Sequence, residues 1–455
     1  MHLPISVNYS KGQRILIACI LFYSGLVFCL PVSPSEEFAS TLTYPWWATR
    51  IGFGNVLLNE VLFIFWLVLF GGRFVLRALL NNIGIPTRQI AICLIVLALW
   101  CGLISIMSLN VSSLVQDVGR TFRLIILGLM VIAVVEWTVK MGNFTLFILL
   151  IGIFTGTVIN LIISFQNPFM LWGSMRLHGQ NTPGVWMGLA IHLTAWLFYS
   201  STNGKVRVLL VVMVLVFSFG VGLSFSRIGW IVTTAGYVAW IYILFFAKAS
   251  GAFKRNHMRR MRRSLVPMIL IITVIGISSP NVQNQLGMVV SLIEQKTWAN
   301  SDSNTERSSY YIGTAEILAK HPFGVGYLGF YDAMVATDIY KSGKAAHEES
   351  PREANPHSTF LWYAVTGGIF GGVLAIVLFL LFLRIMKIGL FSAFGQTGSV
   401  FFYLIAGSMF IIGVTVPYLF NSTILILPTA IAVGLGLSER FKHQHHHLRS
   451  RRATF

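Results

Sequence analysis

The sequence predicts an all-α protein that crosses a membrane many times. Of its 455 residues 55% are hydrophobic and only 11% are charged, and the mean hydropathy is +0.74. The apolar residues form uninterrupted runs of about 20, the length that spans a ~30 Å hydrocarbon core as a helix. Because these runs are continuous and do not alternate with polar residues, they favour helices over a membrane β-barrel.

The apolar runs predict about 12 transmembrane helices and one long loop between the ninth and the tenth. The predicted spans are 14–32, 54–71, 89–108, 121–139, 144–165, 184–200, 206–224, 228–247, 264–279, 359–383, 398–416 and 422–438. The chain then divides into 1–279 with transmembrane helices 1–9, the loop 280–357, 358–438 with helices 10–12, and a basic tail 439–455.

The distribution of positive charge predicts the orientation of the chain. If both termini are cytoplasmic, the cytoplasmic segments contain 22 of the 33 Lys and Arg residues, including the run from Lys254 to Arg263. Such a bias is typical of the cytoplasmic side of membrane proteins. The net charge of +18 is therefore interpreted as a topology signal, with membrane lipids as partners and no nucleic acid.

The long loop 280–357 has a composition unlike the rest of the chain. It contains nine of the 15 acidic residues and six Lys or Arg residues. Its sequence predicts a helix at about Glu306–Ala319 and a turn at 321–327. Loops of this length in a compact protein are usually functional or disordered, and this one is interpreted as a packed subdomain on the outer face.

Five arginines lie at or near the predicted outer boundary of the membrane: Arg120, Arg123, Arg176, Arg227 and Arg307. Each one alone is explained equally well by a side chain that reaches to lipid headgroups. Together they predict a site for an anionic, lipid-linked group, because the guanidinium fork binds phosphate oxygens in pairs.

The junction between the loop and predicted span ten reads Asn355-Pro356-His357-Ser358-Thr359. Pro356 favours a turn, and Ser358 or Thr359 can cap the incoming helix. His357 is a candidate general base, since histidine titrates near neutral pH. A histidine that only hydrogen-bonds a loop carbonyl fits the same pattern, and spacing does not separate the two interpretations.

Several motifs are absent from the sequence. It contains no GxxxxGK[ST] motif, no HExxH motif and no DxD motif in the predicted outer loops. Nucleotide-driven and zinc-dependent chemistry is therefore not predicted, and neither a cofactor nor a metal is expected. The intramembrane acid Glu60 is interpreted as a hydrogen-bonded structural residue.

The loop and its flanking helices resemble the O-antigen ligase and polymerase superfamily. The residues that carry the resemblance are Arg307-Ser308-Ser309-Tyr310-Tyr311, His321-Pro322-Phe323-Gly324-Val325-Gly326, Asn355-Pro356-His357-Ser358-Thr359-Phe360-Leu361, Gly367-Gly368, Arg176 with Gln180-Asn181-Thr182-Pro183, and Ser224-Phe225-Ser226-Arg227. Where the family usually has Gly-Asn-Pro-Asn, this chain has Gln180-Asn181-Thr182-Pro183.

The resemblance implies a metal-independent glycosyltransferase of the bacterial inner membrane. Such enzymes transfer a glycan from undecaprenyl pyrophosphate at the periplasmic face. His357 would then be the catalytic residue. The donor-binding residues would be Arg176 and Arg307, extended by Arg227, Arg120 and Arg123, with Asn181, Asn355, Gly324 and Gly326 in supporting positions.

The acceptor distinguishes the functions that the resemblance allows. An O-antigen ligase uses lipid A–core, as in lipopolysaccharide assembly, and this is the favoured interpretation. An O-antigen or exopolysaccharide polymerase would use the same donor and another lipid-linked repeat unit. A solute transporter or lipid flippase is an alternative of another class, and the scarcity of intramembrane acids speaks against it.

Overall fold

A computed structural model describes the chain at residues 9–27, 29, 52–53, 56–71, 85–108, 114–165, 181–201, 203–224, 226–246, 302–327, 329–342, 356, 358–415, 427–428, 430–432 and 434–436. At 52–53, 56–57, 85–86, 114–117, 163–165, 181–182, 227 and 302–307 it describes the backbone alone. The predicted span 264–279 lies outside the described residues.

Helices make up nearly all of the described structure. They are α1 (Lys11–Leu26), α2 (Leu58–Trp66) with a π-helical turn (Leu67–Gly71), α3 (Ile85–Met107), α4 (Leu114–Met141), α5 (Asn143–Phe165), α6 (Asn181–Ser200), α7 (Gly204–Ser224), α8 (Arg227–Phe245), α9 (Asp302–Lys320), α10 (Phe330–Val335), α11 (Asp338–Lys341) and α12 (Thr359–Thr415). Before α2, the short strands β1 (Gly52–Phe53) and β2 (Val56–Leu57) pair antiparallel, with Gly52 opposite Leu57.

Six of the described helices are long and apolar enough to cross a membrane. Their apolar stretches are Thr87–Met107, Val118–Met141, Asn143–Ile162, Gly204–Ser224, Ile228–Phe245 and Thr359–Thr415. These stretches agree with seven of the predicted spans, because Thr359–Thr415 contains two of them. The predicted helical membrane class is therefore confirmed, and the total of 12 spans remains a prediction.

The helices pack in neighbouring pairs, and small residues allow the closest of these contacts. In the described bundle α1 packs on α5, α3 on α4, and α6 between α7 and α8. A Cβ atom at Gly152 of α5 would lie 2.0 Å from the carbonyl oxygen of Phe22 in α1. Glycine permits this close approach of the two backbones. Such packing stabilises helix pairs in lipid, where the hydrophobic effect does not drive helices together.

The long helix α12 is folded back on itself at Gly395. Its 57 residues would extend about 85 Å if they were straight, whereas a bilayer core is ~30 Å thick. Gly395 has φ 56° and ψ −132°, and aromatic rings on either side of it meet. The ring centroids of Phe394 and Phe401 are 5.8 Å apart, and those of Phe379 and Phe410 are 6.3 Å apart.

A second break in α12 lies at Gly367 and Gly368, inside the span that the sequence predicts at 359–383. Gly368 has φ 67° and ψ −167°. The preceding segment, 359–366, folds back along the following one, because the rings of Phe360 and Phe379 are 5.4 Å apart. The predicted span 359–383 therefore consists of two helical segments and not of one continuous helix. A hydropathy window does not detect two glycines that allow the backbone to reverse.

The loop subdomain forms beside this break. Helix α9 and the turn after it lie where the sequence predicts them. Tyr310 and Ile317 of α9 pack with Phe330 and Met334 of α10, and Val365 of the folded-back segment completes this small core. The described part of the loop is therefore a packed subdomain that shares its core with α12.

Candidate functional site

Three backbone hydrogen bonds join the turn 322–326 to the break in α12, and we call this contact the clasp. Val325 and Gly326 donate to the carbonyl oxygens of Val365 and Thr366, at 2.9 and 3.1 Å. Ile369 donates to the carbonyl oxygen of Pro322 at 3.0 Å. A helix break frees backbone groups that must find other partners away from water. The clasp supplies those partners.

Glycine is required on both sides of the clasp. Gly324 has φ +98°, and a Cβ atom there would lie 2.4 Å from the amide nitrogen of Gly368. A Cβ atom at Gly368 would lie 2.2 Å from the carbonyl oxygen of Pro322. Gly326, with φ +79°, lies against Ser105 of α3. The supporting glycines that the sequence singles out therefore form the turn that docks on the break.

Two side chains of α3 complete the clasp, and neither of them stands out in the sequence. The Trp100 Nε1 group donates to the carbonyl oxygen of Gly367 at 2.7 Å. The hydroxyl oxygen of Ser105 accepts from the backbone N–H of Tyr327 at 2.9 Å. A polar side chain near the end of an apolar helix was the only sequence signal for Ser105. Nothing in the sequence pairs Trp100 with Gly367.

We expect Trp100→Phe to loosen the clasp. The phenyl ring keeps the edge contact with Phe370, whose centroid is 5.0 Å away, but it leaves the Gly367 carbonyl without its donor, which costs ~1 kcal/mol. The readouts are the melting temperature in detergent and the rate of proteolysis within the loop. Trp230→Phe is the matched control, because it removes an indole hydrogen bond of 3.1 Å to the carbonyl oxygen of Val221, which is not part of the clasp. Equal loop proteolysis in the two variants would contradict the prediction.

Arg120 of α4 lies against the clasp. Its Nη1 group donates to the carbonyl oxygen of Tyr327 at 3.0 Å. Its guanidinium carbon lies 6.0 Å from the ring centroid of Tyr327 and 5.8 Å from that of Trp362, in the folded-back segment. Burial raises the pKa of Tyr327 well above its usual range, so this ring stays neutral. Arg120 therefore bridges α4, the turn and the folded-back segment.

Arg123, one turn after Arg120, forms an ion pair with Glu60 of α2. The Nε group of Arg123 donates to Oε1 of Glu60 at 2.7 Å. The Glu60 side chain is fully buried, and that of Arg123 is 20% exposed. A buried carboxylate needs such a partner. The interpretation of Glu60 as a hydrogen-bonded acid agrees with this contact, and its partner is one of the five predicted arginines.

Removal of this carboxylate should destabilise the bundle. For Glu60→Ala we expect a loss of about 2 kcal/mol, below the ~3–5 kcal/mol typical of fully buried pairs, because Arg123 is partly exposed. Thermal unfolding in detergent provides the readout. The double variant Glu60→Ala/Arg123→Ala is the control, and it should lose less than the two single variants combined. If the loss in stability of the double variant equals the sum of the two single losses, the ion pair contributes no coupling energy.

The two residues that flank His357 are buried, and the one that follows it is held by hydrogen bonds at the start of α12. Pro356 and Ser358 are both buried. The carbonyl of Ser358 accepts from the backbone N–H of Trp362 at 2.8 Å, so Ser358 is the residue that caps α12 at its N-terminus. Its hydroxyl donates to the carbonyl oxygen of Gly413 at 3.4 Å. His357 itself lies outside the described residues, as does Asn355.

Helix α9 contacts α12 near its C-terminal end, next to the residue that Ser358 contacts. The Tyr311 hydroxyl donates to the carbonyl oxygen of Val414 at 3.4 Å, next to the Gly413 carbonyl that Ser358 contacts. Arg307 lies one helical turn before Tyr311, at a position whose side chain is not described. Two consecutive carbonyls of α12 therefore connect the residue after His357 with the helix that carries Arg307.

Two of the remaining predicted residues lie at the beginnings of α6 and α8. Arg227 and Asn181 are the first residues of these helices, without described side chains, and Arg176 lies outside the described residues. The two helix starts pack closely, because a Cβ atom at Gly184 would lie 2.7 Å from the Cβ atom of Ser226. Ser226 caps α8 by accepting from Gly229 at 3.1 Å. The backbone positions of Asn181 and Arg227 are therefore neighbours.

The helices, the broken α12 and the loop subdomain docked on it define a polytopic α-helical membrane protein. Residues 211–376 match the family model described as O-antigen ligase, and this match confirms the predicted similarity to the O-antigen ligase superfamily. The matched segment begins in α7 and ends just after the clasp. No significant match was found among curated proteins.

The family supports a function of the O-antigen ligase or polymerase type. It implies a glycosyltransferase-like enzyme whose substrates are a lipid-linked glycan and a lipid acceptor. The family match does not separate the ligase from the polymerase.

Proposed function

We propose that this chain is an O-antigen ligase. In this proposal it transfers a glycan from undecaprenyl pyrophosphate to lipid A–core at the periplasmic face of the inner membrane. The observation that carries the proposal is the pair of contacts at the end of α12. Ser358 and Tyr311 bind the consecutive carbonyls of Gly413 and Val414. These contacts support a site in which His357 and Arg307 act on one substrate.

The proposed reaction is a displacement at the anomeric carbon of the donor sugar. A hydroxyl group of the acceptor attacks this carbon and forms the new glycosidic bond. The bond to the pyrophosphate oxygen breaks, and the lipid-linked pyrophosphate departs with the bonding electrons. His357 accepts the proton of the attacking hydroxyl, a role that typically contributes ~10²–10⁴-fold to the rate.

Negative charge grows on the leaving pyrophosphate, and the arginines are proposed to stabilise it. Arg176 and Arg307 are the principal donors, since preorganised cations at the position of developing charge lower the barrier. Arg227 extends the same anion site. In this scheme neither a metal ion nor a nucleotide is needed, and no cofactor takes part.

Arg120 and Arg123 have a second task in this proposal. Arg120 binds the Tyr327 carbonyl, and Arg123 is held by Glu60. We propose that both residues contribute positive potential to the donor site from fixed positions, with Asn181, Asn355, Gly324 and Gly326 supporting its shape.

The test is reconstitution of the purified protein in liposomes with lipid-linked glycan and lipid A–core, without metal or nucleotide. Formation of the glycan–lipid A–core conjugate supports the ligase. Elongation of the lipid-linked glycan in place of that conjugate would identify a polymerase instead. In cells, a ligase deletion accumulates lipid-linked polymer, whereas a polymerase deletion leaves core with one repeat unit. Accumulation of solute in vesicles without any glycan transfer would favour the transporter alternative.

We expect Arg307→Lys to lower the transfer rate by at least tenfold, since lysine keeps the charge and loses the paired N–H groups that match phosphate. Initial rates at several donor concentrations in the same liposomes provide the measurement. Arg384→Lys is the matched control, because Arg384 is an exposed residue of α12 distant from the clasp. Wild-type rates for Arg307→Lys would exclude paired phosphate recognition by this residue.

A further inference from the structure

Phe323 projects from the turn of the loop subdomain and is 70% exposed. The large side chains that form the core of this subdomain, among them Tyr310, Phe330 and Met334, are each 2% exposed. A phenyl ring at the tip of a hydrophilic loop would be unfavourable in water. Such exposed apolar groups usually mark a contact with a membrane or another molecule.

The clasp fixes Phe323 beside Ile369 and Phe370, which follow the break in α12. Its Cα atom would lie 2.5 Å from a Cβ atom at Gly368, and Ile369 donates to the carbonyl of the preceding Pro322. Ile369 and Phe370 are themselves 60% and 48% exposed. The three exposed apolar residues are therefore neighbours along the backbone, and they form one group where α12 resumes after the break.

This group continues two helix faces that are apolar and exposed along their length. On α12 the exposed residues are Ile369, Val373, Ile376 and Leu380, and on α3 they are Ile92, Val96, Leu99, Leu103 and Ile106. Their spacing of three and four residues places each set on one face of its helix. Both helices are long and apolar enough to span a membrane, so these faces meet lipid.

We propose that Phe323 inserts its ring into the bilayer and anchors the loop subdomain to the membrane. The partner is the acyl-chain boundary of the leaflet on the loop side. The ring extends the lipid-facing faces of α3 and α12. Because the clasp binds the turn to the break at Gly367 and Gly368, the anchored ring also holds the break in place. If the proposed function holds, the anchor keeps the site at the depth where a lipid-linked pyrophosphate lies.

The experiment measures the environment of residue 323 directly and does not depend on enzymatic activity. Cys19 is the exposed cysteine, whereas Cys29, Cys93 and Cys101 are buried, so Cys19→Ser provides the background. A nitroxide label is attached to Phe323→Cys in lipid nanodiscs. Its collision rates with oxygen, which concentrates in lipid, and with a water-soluble nickel complex are then compared.

Three further positions calibrate the result. Ile376→Cys, on the lipid-facing face, gives the value for lipid. Lys341→Cys, on exposed α11, gives the value for water. Lys320→Cys, three residues before Phe323 and also exposed, shows whether the label itself seeks the bilayer.

We expect the label at position 323 to favour oxygen over nickel at least fivefold more than the labels at 320 and 341 do. A value equal to theirs would overturn the proposal. Poor access to both reagents would also overturn it, because another protein segment would then cover the ring. Since transfer activity is not measured, failure of the proposed function would leave this result unchanged.

Discussion

Replacement of His357 by alanine is expected to lower the glycan transfer rate by about 10²–10⁴-fold, the usual contribution of a general base. The reaction in liposomes with saturating acceptor is the measurement. The protein should fold normally, because the neighbouring contacts are made by Ser358, whose hydroxyl reaches Gly413 and whose carbonyl accepts from Trp362.

His321→Ala is the matched control for this prediction. His321 belongs to the same loop and its side chain is exposed, so its removal should leave the rate near that of the wild type. A general base must be unprotonated to act, so the transfer rate of the unmodified protein should fall at acidic pH, where a histidine ring is protonated and cannot accept a proton. If His357→Ala retains a near wild-type rate, His357 has the structural role of a loop histidine.

Replacement of Gly368 by alanine is expected to separate the loop subdomain from α12 and to lower the transfer rate at least tenfold. Two effects combine at this position. The dihedral angle φ of +67° is strained for any residue with a Cβ atom, at a cost of ~1–3 kcal/mol. In addition, the new methyl group would overlap the backbone of Pro322 and Phe323, which cannot move without breaking the clasp.

Gly395→Ala separates these two effects. Gly395 also has a positive φ, +56°, but a Cβ atom there would meet nothing within 4 Å among the described residues. It should therefore reproduce the backbone strain, seen as a lower melting temperature, without opening the clasp. Comparison of loop proteolysis and transfer rates in the two variants is the measurement. If both variants lose activity equally, the strain at the breaks matters and the clasp does not.

The sequence predicted local features of this structure well. Spans such as 144–165 and 206–224 lie within two residues of α5 and α7. The predicted helix at Glu306–Ala319 lies within α9, Asp302–Lys320. These elements depend on hydropathy, length and local turn residues, all of which can be read from consecutive positions.

Long-range features could be predicted only in part. Arg120 and Arg123 stand out in the sequence because charge at a membrane boundary is unusual, and the structure adds their partners, Tyr327 and Glu60. Trp100 does not stand out in the sequence, because an indole in an apolar helix is common in membrane proteins. Its indole N–H can donate to the Gly367 carbonyl only because the break in α12 brings that carbonyl to it.

By itself, the sequence determined the membrane class, the order of the helices and the resemblance to a family, because each depends on composition or short motifs. Only the tertiary structure decided that the predicted helix at 359–383 reverses at Gly367 and Gly368 and that the turn after α9 binds the reversal. The physical reason is that two glycines permit a reversal without requiring it. The freed backbone groups are stabilised by partners that lie far away in the sequence.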